Sequence, residues 1–132
     1  FISTGYAKIG LSGDYGIAWL LTKIIGTARA RELMFTADRI YAKECERIGL
    51  INRVVPDAKL QEESFALAQR LANGPTVALK NMKDNLDDAL VEPFLSALDG
   101  EAERLIASAQ SRDHKEAVRA FIEKRDPKFT GT

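Results

Sequence analysis

The sequence has only one cysteine, only one histidine and no excess of charge of either sign. Its single cysteine, Cys45, excludes an intramolecular disulfide and favours a reducing, cytoplasmic location. The 19 basic and 19 acidic residues give a formal net charge of +0, which indicates neither a nucleic-acid-binding surface nor a polybasic membrane anchor. No apolar run approaches the roughly 18–20 residues needed to cross a bilayer. We therefore expect neither nucleic acid nor a membrane among the partners.

The one histidine and the glycines match no common metal or nucleotide motif. His114 is distant in sequence from Cys45, so no metal site and no Ser-His-Asp triad can be assigned. We interpret His114 as a surface side chain at the start of a polar helix. Gly10, Gly13 and Gly16 follow the pattern G-x-x-G-x-x-G, whereas a dinucleotide site needs G-x-G-x-x-G and a P-loop needs a following Lys-Ser/Thr.

The composition is that of an ordinary globular protein. The 132 residues are 45% hydrophobic and 29% charged, which is enough to bury a core without disulfides or metals. The opening "FISTGYAKIG" has neither the basic segment nor the long apolar segment of a signal peptide. It looks like the end of a strand in the middle of a protein, and we expect the chain to be a fragment.

Hydrophobic spacing predicts a mixed first part of the chain. We expect a short strand in "FISTGYAKIGL", a helix from Gly16 to Ile25 that stops at Gly26, and a second helix in "TARARELMFTA". A short helix in "KECERIG" and a strand in "LINRVVP", ended by Pro56, follow. Two short strands are not stable alone, so the rest of their sheet is expected to lie upstream of this chain.

Four helical patterns follow Pro56 with no strand signal between them. They cover "LQEESFALAQRLAN", about 75–90, about 93–109, and a helix that begins at Asp113. Asp113 and Glu116 form D-x-x-E, which imitates a capping box, and the tail "KRDPKFTGT" is predicted to be extended. The sequence thus predicts a first region over 1–56 and a helical region over 57–132, with mostly α structure in total.

Three segments together resemble the crotonase (enoyl-CoA hydratase/isomerase) superfamily. "KIGLSGDYG" resembles the segment that leads into the family's active-site helix, and "GTARARELMFTADRIYAKECERIGLINRVVP" is similar to its helix, turn, short helix and strand. "DHKEAVRAFIEKRDPKFTG" resembles the C-terminal signature. The likeness covers nearly the whole chain, as the C-terminal half of a family member.

The resemblance implies an α/β fold, a spiral of ββα turns followed by a helical trimerisation region. Region 1–56 would then be the C-terminal part of the spiral with the active-site helix, and 57–132 the trimerisation and CoA-contacting region. The family binds acyl-CoA thioesters and stabilises an enolate with two backbone N–H groups. Both donors would lie upstream of Phe1, so the chain alone is expected to be inactive, and its partners would be the missing N-terminal half and identical subunits in a trimer or hexamer.

Asp14 is the candidate catalytic residue. It falls where dienoyl-CoA isomerases, ring-opening acyl-CoA isomerases and aryl-CoA dehalogenases of the family carry an aspartate that moves a proton or attacks a ring. The alternative is that Asp14 only caps the helix that begins near Gly16, because aspartate is among the best N-cap residues.

Tyr6 stands where many hydratases of the family carry a glutamate that acts as acid and base. A tyrosine is a poor base at neutral pH because its pKa is near 10, so the resemblance favours isomerisation over hydration. Tyr6, Tyr15 and Trp19 are candidate substrate-binding residues. The alternatives are that Tyr6 is only pocket wall and that Trp19 packs in the core.

Phe121 and Lys124 match positions that in relatives contact the adenine and phosphates of CoA. An aromatic face stacks on adenine and an ammonium group binds phosphate. The alternatives are that Phe121 belongs to the helix core and that Lys124 is plain surface.

The resulting hypothesis is an acyl-CoA isomerase or hydratase (a lyase) of fatty acid metabolism, with Asp14 as acid and base. No metal is expected, and no cofactor apart from the coenzyme A of the substrate. Two alternatives stay open, which are nucleophilic attack by Asp14 as in the dehalogenases and an acyl-CoA-binding or assembly module without catalysis.

Overall fold

A computed structural model describes all residues from 1 to 132. The chain divides into two compact units, Phe1–Asp57 and Ala58–Thr132. Helices dominate both units, and no helix combines the length and the apolar character that crossing a bilayer requires.

The first unit contains a 3₁₀ turn and two helices. The turn spans Tyr6–Ile9, helix α1 spans Ile17–Thr36, and helix α2 spans Ala42–Arg47. Gly26 interrupts α1 with φ 77° and ψ 164°, a backbone conformation that is essentially restricted to glycine. The predicted stop at Gly26 is therefore confirmed, and the two predicted helices meet there.

Neither predicted strand forms, so both strand predictions were wrong. Ile2 makes only an isolated antiparallel bridge with Ile40, through N···O distances of 2.8 and 2.9 Å. In the other predicted strand, "LINRVVP", the Val54 amide donates to the Glu46 carboxylate at 2.9 Å instead of to a neighbouring strand. A strand needs a neighbouring strand to pair with its backbone N–H and C=O groups. These two segments find only a single residue, Ile40, and a side chain, Glu46, as partners.

The core of the first unit lies between α1, α2 and the N-terminal segment. Ser3 and Thr4 donate from their hydroxyls to the carbonyls of Ala37 and Leu33 at 2.8 and 2.9 Å. These bonds attach the N-terminal segment to the end of α1, where the Leu33 carbonyl also accepts from the Ala37 amide at 3.1 Å. The buried apolar side chains of this unit are Leu21, Ala30, Leu33, Ala37 and Cys45.

The second unit contains four helices, as predicted. They are α3 Leu60–Ala72, α4 Thr76–Asp88, α5 Phe94–Ala109 and α6 Arg112–Glu123. A polar seam joins α4 to α5, where Arg104 donates to Asn85 at 2.8 Å and to Asp88 at 2.6 Å. None of the side chains of α3, α4 and α5 is fully buried.

The capping box predicted at Asp113 was wrong by two residues. Ser111 is the N-cap of α6, and its hydroxyl accepts from the His114 amide at 3.0 Å. Asp113 is therefore the second residue of the helix and not its cap, and its carboxylate accepts from the tail amides of Thr130 and Gly131, at 2.7 and 2.9 Å. The tail is thus tied to α6.

Candidate active site

Tyr6 is carried by a turn whose shape depends on glycine. The 3₁₀ turn is flanked by Gly5 and Gly10, with φ of 71° and 70°, values that favour glycine. The Leu11 amide donates to the Tyr6 carbonyl at 3.0 Å. This short closed turn holds the Tyr6 backbone at the surface before α1 begins.

Asp14 lies in the loop that leads into α1. Gly13, Tyr15 and Gly16 have φ of 116°, 50° and 73°, and the Ile17 amide donates to the Asp14 backbone carbonyl at 3.0 Å. Gly16 is the N-cap of α1, and no side chain caps the helix. The Asp14 carboxylate therefore does not serve as the helix cap, contrary to the capping alternative.

Gly13 has little room for a side chain. A Cβ at this position would lie 3.0 Å from the Ile17 Cγ2 atom and 3.2 Å from the Met34 Cε atom. The loop is consequently packed against both parts of α1, before and after the interruption at Gly26. This packing fixes the backbone position of the following residue, Asp14.

The Tyr6 hydroxyl donates a hydrogen bond to Asp14 Oδ1. This bond raises the pKa of Tyr6 above its ordinary value of 10.0, since the phenolate would lose the bond and face the carboxylate charge. Tyr6 is therefore a neutral donor at physiological pH. The bond from the Tyr6 hydroxyl is the only hydrogen bond that the Asp14 carboxylate accepts, so Oδ2 stays open to another molecule.

Asp14 lines a small open pocket of about 130 Å³. Its carboxylate is exposed and can exchange a proton with a molecule that enters. A carboxylate with one oxygen hydrogen-bonded and the other open is suited to general acid–base chemistry. The lining residues are Ser12, Gly13, Asp14, Gly16, Ile17 and Ala18.

The two other aromatic candidates of this unit lie on or beside α1. Tyr15, next to Asp14, is 94% exposed. Trp19 is 46% exposed, with the Lys23 Nζ atom 5.5 Å from its ring centroid. Both rings are exposed on this unit, and their substrate-binding roles stay predictions.

Phe121 and Lys124 belong to the second unit, near the end of α6. Phe121 is 85% exposed. Lys124 ends the helix with φ 54°, and its amide donates to the Phe121 carbonyl at 3.2 Å. Both side chains are accessible, and His114, the surface candidate, is exposed as well.

Sequence reasoning missed a set of ionic contacts between α6 and the C-terminal tail. Arg125 donates to the Glu116 carboxylate at 2.6 and 3.1 Å, and the Lys128 amide donates to it at 3.0 Å. These bonds hold the pKa of Glu116 at about 2 instead of its usual 4.5. The spacing D-x-x-E was the available signal, but it was assigned to a cap rather than to the tail.

Comparison with known proteins identifies the class. A sequence model described as enoyl-CoA hydratase/isomerase matches residues 2–132. The chain therefore belongs to the enoyl-CoA hydratase/isomerase family, and the resemblance to the crotonase superfamily is confirmed.

Relatives with both kinds of name are similar to the chain. A probable enoyl-CoA hydratase of Rhodobacter capsulatus is 39% identical over 96% of this chain and 49% of its own length. The 1,2-epoxyphenylacetyl-CoA isomerase of Escherichia coli is 35% identical over 96% and 48%, respectively. A trans-2-decenoyl-[acyl-carrier-protein] isomerase of Streptococcus mutans is 32% identical over 96% and 48%. The chain spans about half the length of these curated relatives.

Solved structures support the same class. An enoyl-CoA hydratase subunit I from Geobacillus kaustophilus superposes with a TM-score of 0.92 at 38% identity, over 97% of this chain and 50% of that one. A putative enoyl-CoA hydratase/isomerase from Mycobacterium abscessus gives 0.94 at 34%, over 98% and 50%. The chain has a mostly helical, crotonase-like fold.

Proposed function

We propose that the chain is the C-terminal half of an acyl-CoA-processing enzyme in which Asp14 transfers a proton on a thioester enolate. The observation that carries the proposal is the exposed Asp14 carboxylate, which has one oxygen bound by Tyr6 and the other open. The family membership supports the reaction class.

The proposed reaction is the movement of one proton between two carbons of the acyl chain. The thioester carbonyl acidifies the adjacent C–H, Asp14 accepts that proton, and the electron pair passes to the carbonyl oxygen as an enolate. In a substrate with a β,γ double bond the enolate is conjugated, so Asp14 returns the proton to the γ carbon. The double bond then lies between the α and β carbons, the carbonyl re-forms, and no atom is gained or lost. Two backbone N–H groups from the half upstream of Phe1 would bind the enolate oxygen, and the chain alone would be inactive.

Isomerisation is favoured over hydration because this half supplies one open carboxylate. Holding and activating a water for addition is usually the task of two carboxylates in this family, and Tyr6 occupies the place of the second. Tyr6 is a neutral donor whose pKa is raised by Asp14, and it cannot replace a base. Relatives named hydratase and relatives named isomerase both match the chain, so the preference for isomerisation rests on the residues at positions 6 and 14.

Exposed aromatic and basic side chains are proposed to bind the substrate. Tyr15 and Trp19 would line the approach to Asp14, while Phe121 would stack on adenine and Lys124 would bind phosphate. We propose an acyl-CoA thioester as substrate, a homotrimer or hexamer as the assembly, and the cytoplasm as the location. The reaction needs no metal or cofactor beyond the coenzyme A of the substrate.

The test is an Asp14→Asn variant of the complete protein, with both halves present. We expect exchange of substrate C–H protons into heavy water to be lost, whereas acyl-CoA binding, measured by calorimetry, stays within about twofold. Asp38→Asn is the matched control, because Asp38 is an exposed carboxylate of the same unit without a hydrogen bond.

Three outcomes would contradict the proposal. Exchange at the normal rate in the Asp14→Asn variant would exclude Asp14 as the base. An aspartyl adduct trapped on Asp14 and detected by mass spectrometry would establish nucleophilic attack instead. Acyl-CoA binding without any exchange in the unmodified protein would indicate a binding module.

A further inference from the structure

We infer that Tyr6 is a positioning residue for Asp14, which binds Oδ1 and so directs proton transfer to Oδ2. The inference rests on the proposed role of Asp14 as the base. It gives Tyr6 a different role from the substrate contact that the sequence predicted.

The geometry of the pair comes from two backbone turns that form independently. Tyr6 is held by the 3₁₀ turn between Gly5 and Gly10. Asp14 is held by the bond from the Ile17 amide to its own carbonyl, at 3.0 Å, and by the packing of Gly13. The side chains meet across eight positions of sequence. Each turn has backbone contacts of its own, and the Tyr6 hydroxyl adds a contact between them at the Asp14 carboxylate.

The exposure of Asp14 makes a positioning bond necessary. The terminal torsion of an aspartate is broad and roughly two-fold, so an unbound, solvated carboxylate would rotate between its two oxygens. Tyr6 provides the only hydrogen bond that holds this one. A base must present a defined oxygen within hydrogen-bond reach of the proton that it takes, and the Tyr6 bond selects that oxygen.

The bond persists through both halves of the proposed reaction. When Asp14 is ionised, Oδ1 accepts from the Tyr6 hydroxyl. When Asp14 has taken a proton on Oδ2, Oδ1 becomes the carbonyl oxygen of the acid and still accepts from the same hydroxyl. Tyr6 therefore keeps its own proton throughout, and the transferred proton enters and leaves through Oδ2.

A titration tests the contact without any activity. In the unmodified chain the Tyr6 phenol should ionise with a midpoint above pH 10.0, because the bond to Asp14 raises its pKa. The absorbance change that belongs to Tyr6 is obtained by subtracting the titration curve of the Tyr6→Phe variant. Asp14→Asn should lower that midpoint, whereas Tyr41→Phe, which removes an unrelated tyrosine, should leave it unchanged. An identical Tyr6 midpoint with and without the Asp14 carboxylate would overturn the inference.

Kinetics of the complete protein test the consequence. Tyr6→Phe should lower kcat about 10- to 100-fold, the range expected for a misaligned base, with KM unchanged. In the Asp14→Asn background the same change should have no further effect, since Tyr6 acts through Asp14. A raised KM with unchanged kcat would make Tyr6 a substrate contact and overturn the inference.

The two tests separate this inference from the proposed function. If Asp14→Asn retains turnover while the Tyr6 titration still depends on Asp14, the proposed function fails. If Asp14→Asn is inactive but the titration of Tyr6 does not respond, only the positioning role fails.

Discussion

The buried carboxylate of Asp113 is predicted to hold the C-terminal tail on the second unit. Asp113 is 2% exposed and accepts from the Thr130 and Gly131 amides at 2.7 and 2.9 Å and from the Thr130 hydroxyl at 3.3 Å. Its own amide donates to the Thr132 carbonyl at 3.1 Å. Asp113→Ala removes three of these four bonds and leaves the two tail amides without acceptors.

The expected loss is smaller than the sum of the bonds. A hydrogen bond to a charged group contributes about 1.5–3 kcal/mol, so the two amide bonds alone would give about 3–6 kcal/mol. The tail can, however, leave α6 and expose its amides to water, which limits the loss to the free energy that docks the tail. We expect about 2–4 kcal/mol, seen as release of the tail rather than unfolding of the unit.

Amide hydrogen exchange is the assay that resolves release from unfolding. Exchange at Thr130 and Gly131 should accelerate about 30- to 1,000-fold in Asp113→Ala, since each 1.4 kcal/mol is about a tenfold change. Exchange within α4 should change much less. Asp126→Ala is the control, because Asp126 is an exposed tail residue whose carboxylate has no hydrogen bond. Equal tail exchange in the two variants would refute the reasoning.

Three further predictions concern stability measured by urea unfolding. Gly13→Ala should lower the free energy of unfolding by about 2–4 kcal/mol, because its Cβ would combine a φ of +116° with contacts of 3.0 and 3.2 Å. Gly5→Ala also has a positive φ but no atom within 4 Å of its Cβ, and should lower it by about 1 kcal/mol. Glu116→Gln should reduce stability at pH 7, and the difference should shrink as the pH falls from 4.5 towards 2, because the bonds from Arg125 lower the pKa of Glu116 to about 2 in the folded chain only. Arg104→Ala should cost about 1–2 kcal/mol through its lost bonds to α4; no change would exclude a role of that seam.

Local sequence signals predicted the helices, but they did not predict the features that depend on long-range contacts. Helical spacing and the glycine at position 26 predicted the two parts of α1, because both act within a few residues. The strand predictions around Ile2 and Val54 were wrong because an extended segment becomes a strand only beside another one. Family resemblance, which carries long-range information, was the part of the sequence reading that identified the fold class.

The candidate site was only partly predictable for the same reason. The sequence singled out Asp14 and Tyr6 separately, and each stays a functional prediction. Their contact depends on the positive φ angles of Gly5, Gly10 and Gly13 together, which no single spacing rule encodes. The engagement of Asp113 with the tail is likewise a contact over 17 positions, and the capping rule applied to it considers only one turn of helix.

The positive φ angles around Asp14 also determine how far this loop can be redesigned. Gly13 has a φ of +116° and little space for a Cβ, both of which disfavour another residue. Tyr15, in contrast, is 94% exposed and has φ 50°, a region that asparagine and aspartate also tolerate. A library that randomises residues 12–16 and is selected for folding should therefore return glycine alone at 13 and a mixture rich in glycine, asparagine and aspartate at 15. Position 15 is therefore a better place than position 13 to introduce side chains that alter substrate choice.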